Sequence, residues 1–267
     1  MTTTPHKGTA LITGASAGIG AVYADRLSKA GYDLILVARS GDRLADLARQ
    51  LTTASGRSVE TLPADLTHAS DIARVEQVLK IDRSITLLVN NAGIAATAPL
   101  LQSNVDEMER MITLNVTALT RLAYAAAPAF VTRGVGTIVN IASIVALNTR
   151  LVNGVYSATK AYVLALSESL KHELADKGVR IQAVLPGATA TDLWVKAGRP
   201  VEELPKEIVM TSEDMVDAAL AGLDQGEFVT IPSLPDKADW DAFEKARDAL
   251  SPNLSLAKPA ARYRVAA

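Results

Sequence analysis

The sequence predicts an α/β fold: a doubly wound parallel sheet of seven strands with helices on both faces. Three observations carry that expectation. Short runs rich in Val, Ile and Leu alternate with amphipathic stretches along the chain. Most of the short runs are apolar on successive positions, as strands buried on both faces are. The first run leads through a glycine-rich turn straight into a helix pattern. Parallel strands joined by right-handed crossovers satisfy such an alternation.

The first strand is read at Thr9–Thr13, and the helix after it at Ile19–Ala30. Between them lies Thr13-Gly14-Ala15-Ser16-Ala17-Gly18-Ile19-Gly20. A strand, a glycine turn and a helix in that order let the backbone approach a pyrophosphate, with helix N–H groups aimed at it. The spacing is G-x-x-x-G-x-G, not the more familiar G-x-G-x-x-G, and a glycine turn without a ligand is the alternative reading. The second strand, Leu34–Ala38, precedes a helix over Asp42–Ala54, and the third, Ser58–Leu62, a helix over Ala69–Lys80. The fourth, Leu87–Asn90, runs into Asn90-Asn91-Ala92-Gly93 and then a long helix, Val105–Thr132. Thr137–Ile141 and the helix Gly154–Asp176 follow, then Arg180–Leu185, a helix at Ser212–Leu223 and a last strand at Phe228–Ile231.

Residues 187–211 break the rhythm. They hold Pro200, Pro205, Trp194 and several charges, and they follow a strand. In open α/β sheets ligands sit beyond the carboxyl ends of the strands, so an excursion there is expected to be a substrate loop or lid. A surface insertion without a role is the plain alternative.

The bulk numbers narrow the class. A chain of 267 residues, 49% apolar, suffices for one large domain, and nothing in it demands a second. The net charge of −2 argues against a nucleic acid or an anionic membrane as partner. With no cysteine, disulfides, thiolate metal sites and cysteine nucleophiles are excluded. His6, His68 and His172 are too scattered to suggest a metal site. Met1-Thr2-Thr3-Thr4-Pro5 lacks the apolar core of a signal peptide. No apolar run approaches the roughly 18 residues that span a bilayer. A soluble, cytoplasmic protein is expected.

A chemical pair stands out at Tyr156 and Lys160. Four apart in a helix pattern, the two side chains project from one face. A fixed ammonium there can lower the pKa of a phenol, whose ordinary value is about 10. A phenol so tuned gives a proton to a carbonyl oxygen or takes one from an alcohol. Ordinary helix surface is the alternative for such a pair taken alone.

The second strand bears on the cofactor. An acid about 20 residues past a glycine turn would accept bonds from a ribose 2′-hydroxyl. Here that position holds Ala38 and then Arg39, while Asp33 comes too early and Asp42 falls in the next helix. An arginine suits a 2′-phosphate instead, so NADP(H) is expected over NAD(H). Ser16, Ser40 and Arg43 are candidates for added bonds to that phosphate, and cover for the sheet edge is the other reading of Arg39.

Taken together, Thr13-Gly14-x-x-x-Gly18-x-Gly20, Asp65, Asn90-Asn91-Ala92-Gly93, Asn115, Ser143, Tyr156, Lys160 and Pro186-Gly187 with Thr191 resemble the short-chain dehydrogenase/reductase family, over roughly residues 7–192. The resemblance implies a Rossmann-type fold and hydride transfer between a nicotinamide and a carbonyl or alcohol. It implies that Tyr156 is the acid/base, that Ser143 holds the substrate oxygen and that Lys160 bonds the nicotinamide ribose. Asn115 would position a water linking Lys160 to solvent. Asp65 and Leu66 would meet the adenine, and Asn91, Ala92 and Gly93 the adenosine ribose. Pro186, Gly187, Thr189 and Thr191 would hold the nicotinamide half, with Ile19 packed beneath it.

The loop between Ser143 and Tyr156 is mostly apolar (Ile144, Val145, Ala146, Leu147, Leu151, Val152), with Leu100, Leu101 and Trp194 as further candidates for the wall. A small hydrophobic ketone or secondary alcohol is the expected substrate. A 3-oxoacyl thioester is a second possibility, for which Lys196, Arg199 and Lys206 supply only a scattered basic rim. A nucleotide-binding sensor without turnover is a third, and it expects a broken Ser-Tyr-Lys set. Beyond Leu223 the resemblance weakens. Residues 236–267 read as an extra helix and tail, with Trp240, Phe243, Arg247 and Leu250 at helical spacing for a packed face. A homo-oligomer, dimer or tetramer, is expected through the long helices around Ala118–Phe130 and Tyr162–Leu174.

Overall fold

The strands that the apolar runs mark form one sheet. In the computed structural model they are β1 (Thr9–Thr13), β2 (Asp33–Ala38), β3 (Val59–Pro63), β4 (Ile85–Asn90), β5 (Gly136–Ile141) and β6 (Val179–Val184). The structure describes residues 5–152 and 154–263. The first four residues, on which the signal-peptide reading rests, lie outside the described residues, as do Asn153 and the last four residues of the tail. Strand boundaries fall within two residues of those read from the sequence, the last strand being trimmed by one residue at each end to a single pair of residues.

Two short strands, β7 (Ala188–Thr189) and β8 (Val209–Met210), pair only with each other, and β9 (Val229–Thr230) closes the main sheet. Its order is β3-β2-β1-β4-β5-β6-β9, every pairing parallel. The order reverses between β1 and β4, where a parallel sheet opens a crevice for a ligand.

Alternate residues of each strand feed two cores. Leu11, Val37, Leu88, Ile138 and Ile181 pack with helix α3 (Ala69–Ile81), α5 (Leu119–Arg133) and α6 (Gly154–Leu174). Ala10, Ile12, Leu36, Val89, Val139 and Val184 pack with α1 (Gly18–Lys29), α2 (Gly41–Ser55) and α8 (Ser212–Asp224). The inner strands are thus apolar on both faces, which is why their sequences read as continuous runs and not as alternations, whereas the edge strand β3 has no buried residue and keeps Glu60 and Thr61 exposed.

The long helix expected at Val105–Thr132 is interrupted. It begins as α4 (Val105–Ile112), widens into a π-helical stretch at Thr113–Ala118, and resumes as α5. Such wide turns are uncommon and gather at functional sites; this one carries Asn115.

The chain divides into two compact units, residues 1–232 and 233–267. The first holds the sheet, a short helix α7 (Leu193–Lys196) and the candidate site. The second holds α9 (Lys237–Asp248), and here the expected packed face shrinks. Trp240 is buried and stacks at 5.4 Å on Phe243, but Phe243 is half exposed, and Arg247 and Leu250 are exposed. Helical spacing alone marks which residues share a face, not whether anything covers it.

Candidate active site

The carboxyl ends of β1, β4, β5 and β6 bring the predicted residues to one end of the sheet. After β1 the chain turns through Gly14 (φ +67°) and Gly18 (φ +52°), in the left-handed region that side chains avoid. A Cβ on Gly20 would lie 2.3 Å from Gly14 O and 2.6 Å from Asn91 Nδ2, so only glycine fits. Asn91 Nδ2 donates to Thr13 O (2.9 Å) and Gly14 O (3.3 Å), binding the exit of β4 to the turn after β1. Thr13, part of the motif but given no role from the sequence, is the centre of this join. Its hydroxyl oxygen accepts from Asn91 N and Ala92 N, each at 3.0 Å, and donates to Val89 O. The amide of Asn91 is spent on protein backbone, which gives this residue a structural duty beside the ribose contact expected of it.

Arg39 lies exposed just past β2, two residues after Val37, whose carbonyl accepts from Ala15 N of the glycine turn at 3.2 Å. Ala64 N donates to Ala38 O, which sets Asp65 beside Arg39. The Asp65 carboxyl lies below its ordinary range. Burial pushes it up, but bonds from Thr67 N (3.0 Å) and Thr67 Oγ1 (2.7 Å), with the Arg39 charge, outweigh that push. Ser40 caps α2 by accepting from Arg43 N, so that helix opens its N-terminus next to Arg39. Leu66 is buried, while Ser16 and Ile19 are half-buried along the turn.

The Ser143, Tyr156 and Lys160 side chains converge. Ser143 follows β5 by two residues and is buried, its hydroxyl 3.3 Å from Pro186 O, to which it donates. The Tyr156 phenol is pushed up to about 12 by burial, against which a hydrogen bond with the Ser143 side chain works. Lys160 is buried, and desolvation draws its ammonium down to about 8. Its Nζ donates to Ile141 O at 2.8 Å and stands 5.8 Å from the centre of the Tyr156 ring. Burial thus outweighs the Ser143 hydrogen bond, and the phenol stands above its ordinary value instead of below it as the sequence suggests.

Asn115 joins this group from the π-helical stretch. Its Oδ1 accepts from Ile94 N and its Nδ2 donates to Ile94 O, each at 2.9 Å, and Nδ2 also donates to Thr159 Oγ1 at 3.1 Å. Both amide hydrogens are therefore committed to protein, which leaves only oxygen lone pairs for a water. Thr159, which the sequence reading passed over, donates in turn to Tyr156 O at 2.7 Å and so ties the asparagine to the tyrosine's helix. A Cβ on Gly93 would lie 3.2 Å from Asn115 Oδ1 and 3.8 Å from Lys160 Nζ, so the glycine faces both groups. Beneath them runs a buried chain, Asn90 Nδ2 to Asn140 Oδ1 (3.0 Å) and Asn140 Nδ2 to Ser167 Oγ (2.9 Å), locking β4, β5 and α6 together.

The nicotinamide-side residues follow β6. Pro186 is buried, and its carbonyl accepts from Ile144 N as well as from Ser143. Thr189 lies in β7, its carbonyl taking the Trp194 indole N–H at 3.0 Å. Thr191 Cγ2 lies 3.0 Å from where a Gly18 Cβ would stand, so the root of the excursion rests on the glycine turn. Gly187 accepts from the Thr189 hydroxyl. Of the suggested pocket wall, Val145 is buried in the protein and Trp194 half-buried, whereas Leu100 and Leu101 are 81% and 96% exposed. Among the described residues, no helix is long and apolar enough to cross a membrane.

The glycine-only turn and the Gly93 recess beside Lys160 fit a nicotinamide dinucleotide at the β1/β4 crevice. Comparison with known proteins agrees. The sequence profile described as short chain dehydrogenase matches residues 8–201. Similar in structure are a short-chain dehydrogenase from Sphingobium yanoikuyae in complex with NADPH and a bulky-bulky ketone specific alcohol dehydrogenase from Comamonas testosteroni. The first is 50% identical, with a TM-score of 0.94 over 96% of this chain and 100% of that one. The second is 42% identical, with a TM-score of 0.89 over 97% and 99%. Similar in sequence is an uncharacterized oxidoreductase of Staphylococcus saprophyticus, 32% identical over 83% of this chain and 93% of its own length.

Proposed function

The chain belongs to the short-chain dehydrogenase/reductase family, and from that premise we propose that it interconverts a neutral, hydrophobic ketone and its secondary alcohol using NADP(H). The observation that carries this reading is the Ser143–Tyr156 hydrogen bond with Lys160 buried beneath the phenol ring. A bound nicotinamide would supply the hydride for reduction and, when oxidised, a positive charge beside the phenol.

The residues divide the remaining work. Tyr156, protonated at neutral pH, gives its proton to the carbonyl oxygen in reduction and, once acidified, takes one from the alcohol in oxidation. Ser143 shares that oxygen and fixes its distance from the phenol. Lys160 reaches the ribose from Gly93's side and adds positive charge whenever it is protonated. Asn115 holds Ile94 and Thr159 in register, and its free oxygen lone pair is the one side-chain group left to hold a relay water. Gly14, Ser16, Gly18, Ile19 and Gly20 cradle the pyrophosphate; Asp65, Leu66, Asn91, Ala92 and Gly93 border the adenosine; Pro186, Gly187, Thr189 and Thr191 border the nicotinamide.

The NADP(H) preference is supported by Arg39 beside the N-terminus of α2, two positive ends suited to a 2′-phosphate. The NADPH bound by the Sphingobium protein supports it too. The apolar loop after Ser143 and the bulky ketones named for the Comamonas enzyme support a large apolar substrate. Exposed Ile112, Tyr124 and Tyr162 on α4, α5 and α6 support a homo-oligomer through those helices. The test is a turnover panel of bulky ketones, their alcohols and 3-oxoacyl thioesters with NADPH and NADH. NADPH-dependent reduction of bulky ketones is expected, and no turnover of any of them, with either cofactor, overturns the reading.

A further inference from the structure

Residues 190–208 leave the sheet and return to it through a narrow neck. Ala188 and Thr189 pair with Val209 and Met210, Ala190 N donates to Met210 O (2.9 Å), and Ser212 Oγ donates to Ala190 O (3.0 Å). Beyond the neck the excursion is tied mostly to itself: Trp194 to Thr189, Arg199 N to Trp194 O, Glu203 N to Pro200 O, Ile208 N to Pro205 O. One point departs from this pattern. The carbonyl of Ala197, at the far end of α7, accepts both the backbone N–H of Thr97 (3.3 Å) and the Thr97 hydroxyl (2.7 Å). Among the described residues, these are the only hydrogen bonds from 191–208 to the body outside the neck.

Thr97 does not stand alone. Three residues before it, Ile94 is bonded through both its N–H and its C=O to the side chain of Asn115. Three residues of extended chain reach only about 10 Å. A short segment therefore has one end fixed to the catalytic cluster and the other to the tip of the excursion. At its root, the excursion touches the glycine turn through Thr191.

We propose that Thr97 is the latch of a substrate lid, a positioning residue that holds residues 190–208 closed by its two bonds to Ala197 and couples lid closure to the Asn115 side of the active site. The inference deepens the oxidoreductase reading and rests on it only for the kinetic part. Opening requires releasing the hydroxyl bond, and closing restores it without rearranging the neck.

The test compares Thr97→Val, which keeps the shape but removes the hydroxyl, with Thr97→Ser, which restores it. Trypsin has two sites within the excursion, Lys196 and Lys206, because Pro200 blocks cleavage after Arg199. Cutting there, mapped by mass spectrometry without cofactor or substrate, is expected to be several-fold faster in Thr97→Val, at unchanged melting temperature. Thr97→Ser is expected to match the wild type. The ketone KM should rise about 2- to 12-fold, the worth of one neutral hydrogen bond, with kcat within twofold. Wild-type cutting rates, or an unchanged KM, overturn the proposal. Because cutting is read without turnover, a failed latch and a failed oxidoreductase assignment give different results.

If Thr97→Val does not fold, a second route remains. The chain has no cysteine, and a Cβ on Gly198 would lie 3.8 Å from Thr97 Oγ1. Thr97→Cys combined with Gly198→Cys then forms the sole possible disulfide and locks the tip. Loss of turnover by tenfold or more on oxidation, regained on reduction, is expected; full turnover in the oxidised form overturns the proposal.

Discussion

The glycine turn after β1 and the excursion after β6 lie on the same crevice, yet they are held in opposite ways. The turn is tied to the strands on either side of it, Ala15 N donating to Val37 O. Asn91 and Thr13 bond across β1 and β4, and a methyl group on Gly20 would collide with a carbonyl at 2.3 Å. The excursion is stitched at its neck and caught at one further carbonyl, with the rest of its bonds internal. A dinucleotide, whose pyrophosphate and ribose are alike in both redox forms, calls for a fixed seat, whereas a substrate that must be admitted and then enclosed calls for a wall that moves. The difference in restraint matches that difference in task.

Tyr156 lies between the two regions, and there the largest effect is expected. Tyr156→Phe keeps the ring and removes the proton, and turnover should fall about 10² or more. The affinity for NADPH, read by fluorescence titration, should change little. A variant with near-native turnover would remove the acid/base role from this residue.

Substitution of glycines separates the regions directly. Gly20→Ala places a Cβ against Gly14 O and Asn91 Nδ2, where something must shift. We expect NADPH affinity to drop more than tenfold and the melting temperature to fall by several degrees. Gly198, in the excursion, meets no atom closer than 3.8 Å, and its constraint is a φ of +90°. Gly198→Ala should then cost only about 1–2 kcal/mol of local strain, with NADPH affinity intact. Equal loss of cofactor binding in both variants would erase the contrast drawn above.

Arg39→Ala tests the outer end of the fixed seat. A charge-assisted bond is worth about 1.5–3 kcal/mol, so the kcat/KM with NADPH should fall about 10- to 100-fold while that with NADH changes little. An equal decline with both cofactors would show that Arg39 supports the sheet edge and not the 2′-phosphate.

These regions also differ in how far the sequence disclosed them. The seven strands, the glycine turn and the Ser143, Tyr156 and Lys160 set were legible because their signals are local: an apolar run, a glycine spacing, two residues one helical turn apart. What escaped depends on partners remote in sequence. Thr97 meets Ala197 one hundred residues away. The wide turn at Thr113–Ala118 reads as plain helix until Ile94, 21 residues distant, is seen to claim Asn115. Thr159 looks like filler before Lys160, and only the fold shows it bridging Asn115 and Tyr156. The α9 face shows the complementary case. Periodicity placed Trp240, Phe243, Arg247 and Leu250 together, but burial depends on a cover that no periodicity encodes, and Trp240 alone is buried.

The smallest effect expected is one of stability, and it probes the floor that both regions share. Lys160 is depressed to about 8 by burial, against about 10.4 for an unfolded lysine. Between those values the unfolded chain keeps a proton that the folded one has released, so this residue makes stability rise with pH. Below about 8 both states are charged and the desolvation penalty is present in full. Tyr156 acts in the next window with the opposite sign. Raised to about 12, it stays protonated in the fold while the unfolded phenol ionises from about 10, so stability falls there. Lys160→Met removes the first contribution. Its melting temperature relative to wild type should be highest at pH 7, by a few degrees at most, and the advantage should shrink toward pH 10. A difference that stays constant over that range would mean the ammonium is not paying for its burial at all, and that solvent reaches the floor of the site.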